Sequence, residues 1–107
     1  DNFTIMKEEP FGPLVPILTF KTFDEVIERA NDNDLGLCSY LYTNSMDKAH
    51  IGSEKLESGC VAVNTGVVAL AEAPFGGIKQ TGYGREGGSG AIKDYLNVKY
   101  THMGLKI

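Results

Sequence analysis

Between Pro13 and Gly66 the apolar residues switch repeatedly between the spacing of a strand and that of a helix, and this alternation restricts the fold more than any other feature. "PLVPILTFK" (Pro13–Lys21) is apolar and β-rich and predicts a buried strand, with Pro16 suited to an edge or a bulge. "TFDEVIERAND" then puts Phe23, Val26, Ile27 and Ala30 at helical spacing, with Thr22 as N-cap and Glu25 completing a capping box. "GLCSYLYT" predicts a second strand. "NSMDKAHIGSEKLESG" predicts a second helix, capped by Asn44 or Ser45, with Met46, Ala49 and Leu56 inward and Gly59 at its end. "CVAVNTG" predicts a third strand. The order is βαβαβ, an α/β fold with a parallel sheet and right-handed crossovers.

From Ala73 the character changes. Gly76, Gly77, Gly82, Gly84, Gly87, Gly88 and Gly90 predict a glycine-rich loop without regular structure, followed by a short helix around Ala91–Leu96 and a β-like tail, "NVKYTHM". "GYGREG" within that loop has the letters of the dinucleotide fingerprint, but that fingerprint needs a strand before it and an acid about 20 residues after it. The preceding "FGGIKQT" is loop, and no Asp or Glu follows Asp94. A Rossmann turn is excluded there.

Composition narrows the function classes. The chain has 107 residues, enough for one domain with one modest core, and its 42% hydrophobic and 22% charged residues suit a soluble globular protein. Ten Lys and Arg against 14 Asp and Glu give a net charge of -4, with the cations scattered, so no nucleic-acid footprint is expected. The apolar stretch Cys60–Ala73 is broken by Asn64, Thr65 and Glu72 and is too short to span a bilayer. The start, "DNFTIMKEEP", has no secretory-signal character. Cys38 and Cys60 lack metal-ligand spacing and lie in apolar runs, so no metal is expected and they read as reduced, packed thiols. His50 and His102 form no arrangement with a nucleophile and read as surface or packing residues.

Two loops carry the chemical interest. In "KEEPFGP", Pro10 drives Glu9 towards extended backbone and Gly12-Pro13 forces a turn. Residues two apart in an extended segment face one way, so Glu9 and Phe11 would project together. A carboxylate beside an aromatic ring suits a ligand made of a sugar and a heterocycle, although a solvated acid before a turn is the plainer reading. In "EAPFGGIKQTGYGREGG", Phe75 is either a pocket wall or a core anchor. Glu86 is either a buried proton carrier or an ion-pair partner of Arg85 or Lys79.

"EEPFGP", then "VNTG", then "APFGGIKQTGYGREGG" together resemble the C-terminal part of the aldehyde dehydrogenase superfamily, and "NTG" followed by "EAPFGGIKQTG" is most similar to its succinate-semialdehyde branch. The resemblance covers essentially the whole chain. It implies an NAD or NADP enzyme that oxidises an aldehyde to a carboxylic acid, with Glu9 on the nicotinamide ribose and Phe11 near the nicotinamide. It further implies Phe75 at the aldehyde entrance, "GVVALAEA" shaping the substrate pocket through Val68 and Ala69, and Glu86 in a proton relay. The tail is similar to the family's subunit-contact strand, which implies a homo-oligomer, dimer or tetramer, in the cytoplasm.

The chain departs from the family pattern at Ala69, where semialdehyde enzymes often carry a serine that holds the substrate carboxylate. Without that hydroxyl a carboxylate loses a hydrogen bond of about 1.5–3 kcal/mol. Neither cysteine sits in the family's nucleophile motif, and the segments carrying the nucleophile, the base and the cofactor-binding domain are expected upstream of residue 1. The expected organisation is residues 1–88 as the C-terminal part of a catalytic domain, then 89–107 as a short helix and terminal contact strand. On that reading the 107 residues alone are inactive. The competing expectation is a free-standing, non-catalytic α/β interaction module.

Overall fold

The computed structural model describes residues 3–106; residues 1–2 and 107, at the edges of the two expected segments, lie outside that range. The ordered centre begins with helix α1 (Phe23–Asn31). Thr22 has extended backbone and its hydroxyl accepts from the Glu25 backbone N–H at 3.2 Å, as the capping pattern requires. The reciprocal bond goes to a different donor: Glu25 Oε2 accepts from the Lys21 N–H at 2.9 Å. Thr22→Ala should therefore lower stability by about 1 kcal/mol. The urea midpoint reads it, and an unchanged midpoint would remove the cap from the account.

The predicted second strand is split. Leu35–Gly36 (β1) pairs antiparallel with Ile78–Lys79 (β4), while Cys38–Leu41 (β2) pairs in parallel with Cys60–Val63 (β3). The β2–β3 register runs Cys38 opposite Cys60, Ser39 opposite Val61, Tyr40 opposite Ala62 and Leu41 opposite Val63. Helix α2 (Met46–Lys55) connects these two strands, and Ser45 rather than Asn44 caps it, accepting from the Lys48 N–H. The centre is thus one βαβ unit with α1 packed beside it.

Its core is small. Ile27 and Ala62 are the buried apolar side chains among the described residues, at 7% and 4% exposure. Gly52 lets α2 lie directly on β2: a Cβ there would come 2.5 Å from a Leu41 methyl carbon and 3.4 Å from the Phe23 ring. Met46, expected inward, is the first residue of α2 and is 82% exposed. Asn31 ties the helices together, its amide donating to the Lys55 carbonyl at 2.8 Å and accepting from the Glu57 N–H at 2.9 Å.

Pro13–Lys21 forms no strand; two prolines remove N–H donors, no neighbouring strand among the described residues offers a ladder, and Val15 and Ile17 are exposed. The sheet is consequently not the βαβαβ arrangement. The tail likewise runs extended but unpaired, with Val98, Tyr100 and Leu105 exposed, so within this chain it makes no strand. Gly59 does not end α2, which stops at Lys55 with Leu56 as its cap; its role lies in packing, described below. The glycine-rich stretch, in turn, holds more regular structure than expected, since it contains β4 and a backbone bridge.

The result is an open shape, 75 × 34 × 24 Å with a radius of gyration of 19.5 Å, where a compact chain of this length has about 13 Å. The accessible surface of 9293 Å² compares with about 5,800 Å² for a compact monomer of this mass. Among the exposed residues are many large apolar side chains, including Phe11, Val15, Ile17, Val98 and Leu105, the kind of surface that associates. Light scattering should show apparent mass rising with concentration; a constant monomer mass would contradict it.

Candidate functional site

The loop leaving β3 is pinned at both ends. Asn64, in left-handed backbone at φ 56°, brackets Thr43: its Oδ1 accepts from the Thr43 N–H at 2.8 Å and its amide donates to the Thr43 carbonyl at 2.9 Å. At the far end Phe75 and Glu86 exchange two backbone hydrogen bonds of 2.7 Å in an antiparallel bridge. The Gly88 N–H donates to the Ala71 carbonyl at 2.9 Å, so the "GREGG" and "GVVALAEA" segments are stitched together. Gly87, at φ 65°, permits the close pass, because a Cβ would sit 2.7 Å from the Ala73 carbonyl oxygen.

These bonds build a cleft of about 620 Å³ whose walls include Phe75, Glu86, Tyr83, Thr81 and Leu37. Phe75 itself is half-buried. Arg85 also lines the cleft and braces it, donating to the carbonyls of Gly77 at 2.8 Å and Gly84 at 2.7 Å. Glu86 is exposed and, among the described residues, its carboxylate makes no ion pair; Lys79 pairs instead with Glu57 at 2.5 Å and donates to the carbonyls of Asn31 and Asn33. Both expected partners of Glu86 are therefore committed elsewhere.

Glu9 borders a second cavity of about 480 Å³, together with Glu8, Cys38, Ser39 and Ser58. Leu37 and Thr81 line both cavities and form their shared wall. Phe11 is absent from that lining and is 99% exposed. The reason is local: the Gly12 N–H donates to the Pro10 carbonyl at 2.8 Å, closing a three-residue turn centred on Phe11, and the same turn repeats about Pro13. The segment from Pro10 to Gly12 is therefore a turn, and not the extended backbone on which the two-apart rule rests. Val68 is half-buried and Ala69 exposed, and neither lines either cavity.

Cys38 was not singled out for the site by its sequence context, yet it lies on the Glu9 cavity. Burial, and then the adjacent Cys60 thiol, push its thiol above the ordinary range. The signal was the equal offset of the two cysteines from the starts of paired strands, which acquires meaning only once the register is known. Among the described residues there is no cluster of three or more metal-ligating side chains, and no helix is long and apolar enough to cross a membrane. His50 is exposed on α2 beside Glu54, and His102 meets the Tyr100 hydroxyl in the tail.

The strand–helix–strand unit thus carries two adjacent cavities, one bordered by Glu9 and the other by Phe75 and Glu86. The aldehyde dehydrogenase family profile matches residues 1–101, and the chain belongs to that family. It is 46% identical over 104 residues to succinate-semialdehyde dehydrogenase [NADP(+)] GabD of Escherichia coli (strain K12), covering 97% of this chain and 22% of that protein. Glutarate-semialdehyde dehydrogenase of Pseudomonas aeruginosa is 46% identical over 103 residues, 96% of this chain and 21% of that one. An NAD+ complex of an aldehyde dehydrogenase from Bacillus cereus superposes with a TM-score of 0.88 at 46% identity, over 92% of this chain and 20% of that structure. The chain spans about a fifth of the length of the curated relatives it matches.

Proposed function

We propose that this chain is the C-terminal part of the catalytic domain of an NAD(P)+-dependent aldehyde dehydrogenase, acting on a small aldehyde of the semialdehyde class and yielding the carboxylic acid. The observation that carries the reading is the shared wall: Leu37 and Thr81 separate a cavity bordered by Glu9 from a cleft bordered by Phe75 and Glu86. Oxidation of an aldehyde by hydride removal needs donor and acceptor side by side, and two adjoining cavities supply that adjacency.

Glu9 fits a nicotinamide cofactor, since a carboxylate on a cavity wall accepts hydrogen bonds from both hydroxyls of a ribose. Phe11 keeps an uncovered ring, available to pack on the nicotinamide face. When bound, the cofactor supplies the hydride acceptor. Phe75 walls the aldehyde entrance and excludes water, Val68 and Ala69 contribute to the substrate loop, and Glu86 passes a proton towards solvent. Ala69 offers no hydroxyl to an incoming carboxylate, which favours a substrate whose far end is held by packing or by a group outside this loop. The tail from Leu96 onward, unpaired and apolar, suits a strand contributed to a neighbouring subunit of a homo-oligomer.

The nucleophilic thiol and the base that activates water belong, on this reading, to segments upstream of Asp1. The expected result is that the full-length protein forms one reduced nicotinamide per semialdehyde consumed, while the 107 residues alone form none. Absence of turnover by the full-length protein with succinate, glutarate and simple aliphatic aldehydes would overturn the assignment, and turnover by the 107 residues would overturn the division of labour.

A further inference from the structure

The strand register sets Cys38 directly beside Cys60, and both thiols are free. In-register residues of a parallel pair point to the same face of the sheet. Neighbouring strands lie about 4.8 Å apart, inside the Cα separation of about 4.4–6.8 Å that a disulfide bridges. Cys60 Sγ donates to the Gly76 carbonyl at 3.8 Å. Cys38 borders the Glu9 cavity, which gives a small oxidant access to the pair. Neither thiol is used by the proposed dehydrogenase chemistry.

We propose that Cys38 and Cys60 form a reversible dithiol–disulfide pair, a modification site for peroxide. The sulfur of one cysteine, as its thiolate, attacks an oxygen of hydrogen peroxide, the O–O bond breaks, and a sulfenic acid and one water result. The second sulfur then attacks the sulfenic sulfur, the S–O bond breaks, and the hydroxide leaves with a proton as a second water. Two electrons pass from the sulfurs to the peroxide, and both thiol hydrogens end in water. A dithiol reductant reverses the change.

The pair also sits between the two halves of the site. Cys38 lines one cavity, and Cys60 holds the carbonyl of Gly76, the residue after Phe75 in the wall of the other. Oxidation takes the hydrogen from Cys60 Sγ, so the tether to Gly76 is lost as the bond to Cys38 forms. The oxidised form therefore releases the Phe75 wall while fastening β2 to β3 around α2.

The purified chain is treated with hydrogen peroxide, quenched with N-ethylmaleimide, and read by intact mass and peptide mapping. The expected product is lighter by two hydrogen atoms, carries no maleimide, yields a Cys38–Cys60 linked peptide, and returns to the dithiol with dithiothreitol. Cross-linking should be about ten-fold faster in native buffer than in concentrated urea, where only loop closure brings the sulfurs together. In Cys60→Ser, Cys38 should stop at a sulfenic acid that dimedone traps. Two maleimides per chain after peroxide, cross-links only between chains, or equal rates in buffer and urea would each overturn the proposal. Faster amide exchange at Phe75 and Glu86 in the oxidised chain supports the coupling to the wall, and unchanged exchange refutes that part.

Discussion

Gly59→Ala should destabilise the chain by about 3 kcal/mol, a large share of what a small domain possesses. A Cβ at this position would lie 1.8 Å from the Gly76 carbonyl oxygen, 2.8 Å from its carbon and 2.9 Å from the Gly77 Cα. All three are backbone atoms, so no side chain can rotate away and one segment must move. The segment that moves carries Phe75 on one side and β4 on the other, so the β1–β4 pairing and the cleft wall should loosen together. Gly90→Ala is the matching control: its backbone is at φ -84°, and nothing lies within 4 Å of the added carbon, so the change should stay within about 0.5 kcal/mol. Urea unfolding of both variants against the parent decides the matter. A Gly59→Ala midpoint equal to that of Gly90→Ala would mean that Gly76 is not held against β3 in solution.

Glu9→Gln in the full-length enzyme should lower kcat/KM by about 10- to 100-fold. A carboxylate on a ribose makes charge-assisted hydrogen bonds, of about 1.5–3 kcal/mol, that a neutral amide does not reproduce. At about 1.4 kcal/mol per factor of ten, this gives the stated range. The loss should appear in the hydride step, because a loosened ribose lets the nicotinamide wander from the aldehyde carbon. A deuterated aldehyde should therefore show a larger isotope effect in the variant than in the parent. Glu28→Gln, on the exposed face of α1, should leave turnover unchanged. Equal kcat, KM for NAD(P)+ and isotope effect in Glu9→Gln and parent would take Glu9 out of the cofactor site.

The two helices were readable because their signals are local. Thr22 and Ser45 cap within three residues of themselves, and the apolar spacing of Phe23, Val26 and Ile27 is a property of one turn and the next. The parallel pairing of "CSYL" with "CVAV" followed from the helix between them, since parallel strands need a crossover connection. The strand expected at Pro13–Lys21 had composition but no partner, and composition cannot supply hydrogen bonds. The tail failed for the same reason. Met46 was misplaced because helical spacing marks an apolar face without saying whether any other element covers it.

The sequence by itself determined the family, because motifs such as "EEPFGP" and "APFGGIKQTGYGREGG" are contiguous strings whose order survives without coordinates. It also determined the helices, whose capping and periodicity act over a few residues. Tertiary structure alone decided that Phe75 meets Glu86, that a tight turn at Phe11 leaves its ring exposed and off the Glu9 cavity, that Lys79 serves Glu57 instead of Glu86, and that Cys38 faces Cys60. Each of those depends on register or on a turn closed by a single backbone bond. A shift of one residue along a strand reverses every side chain on it, and no local propensity records that shift.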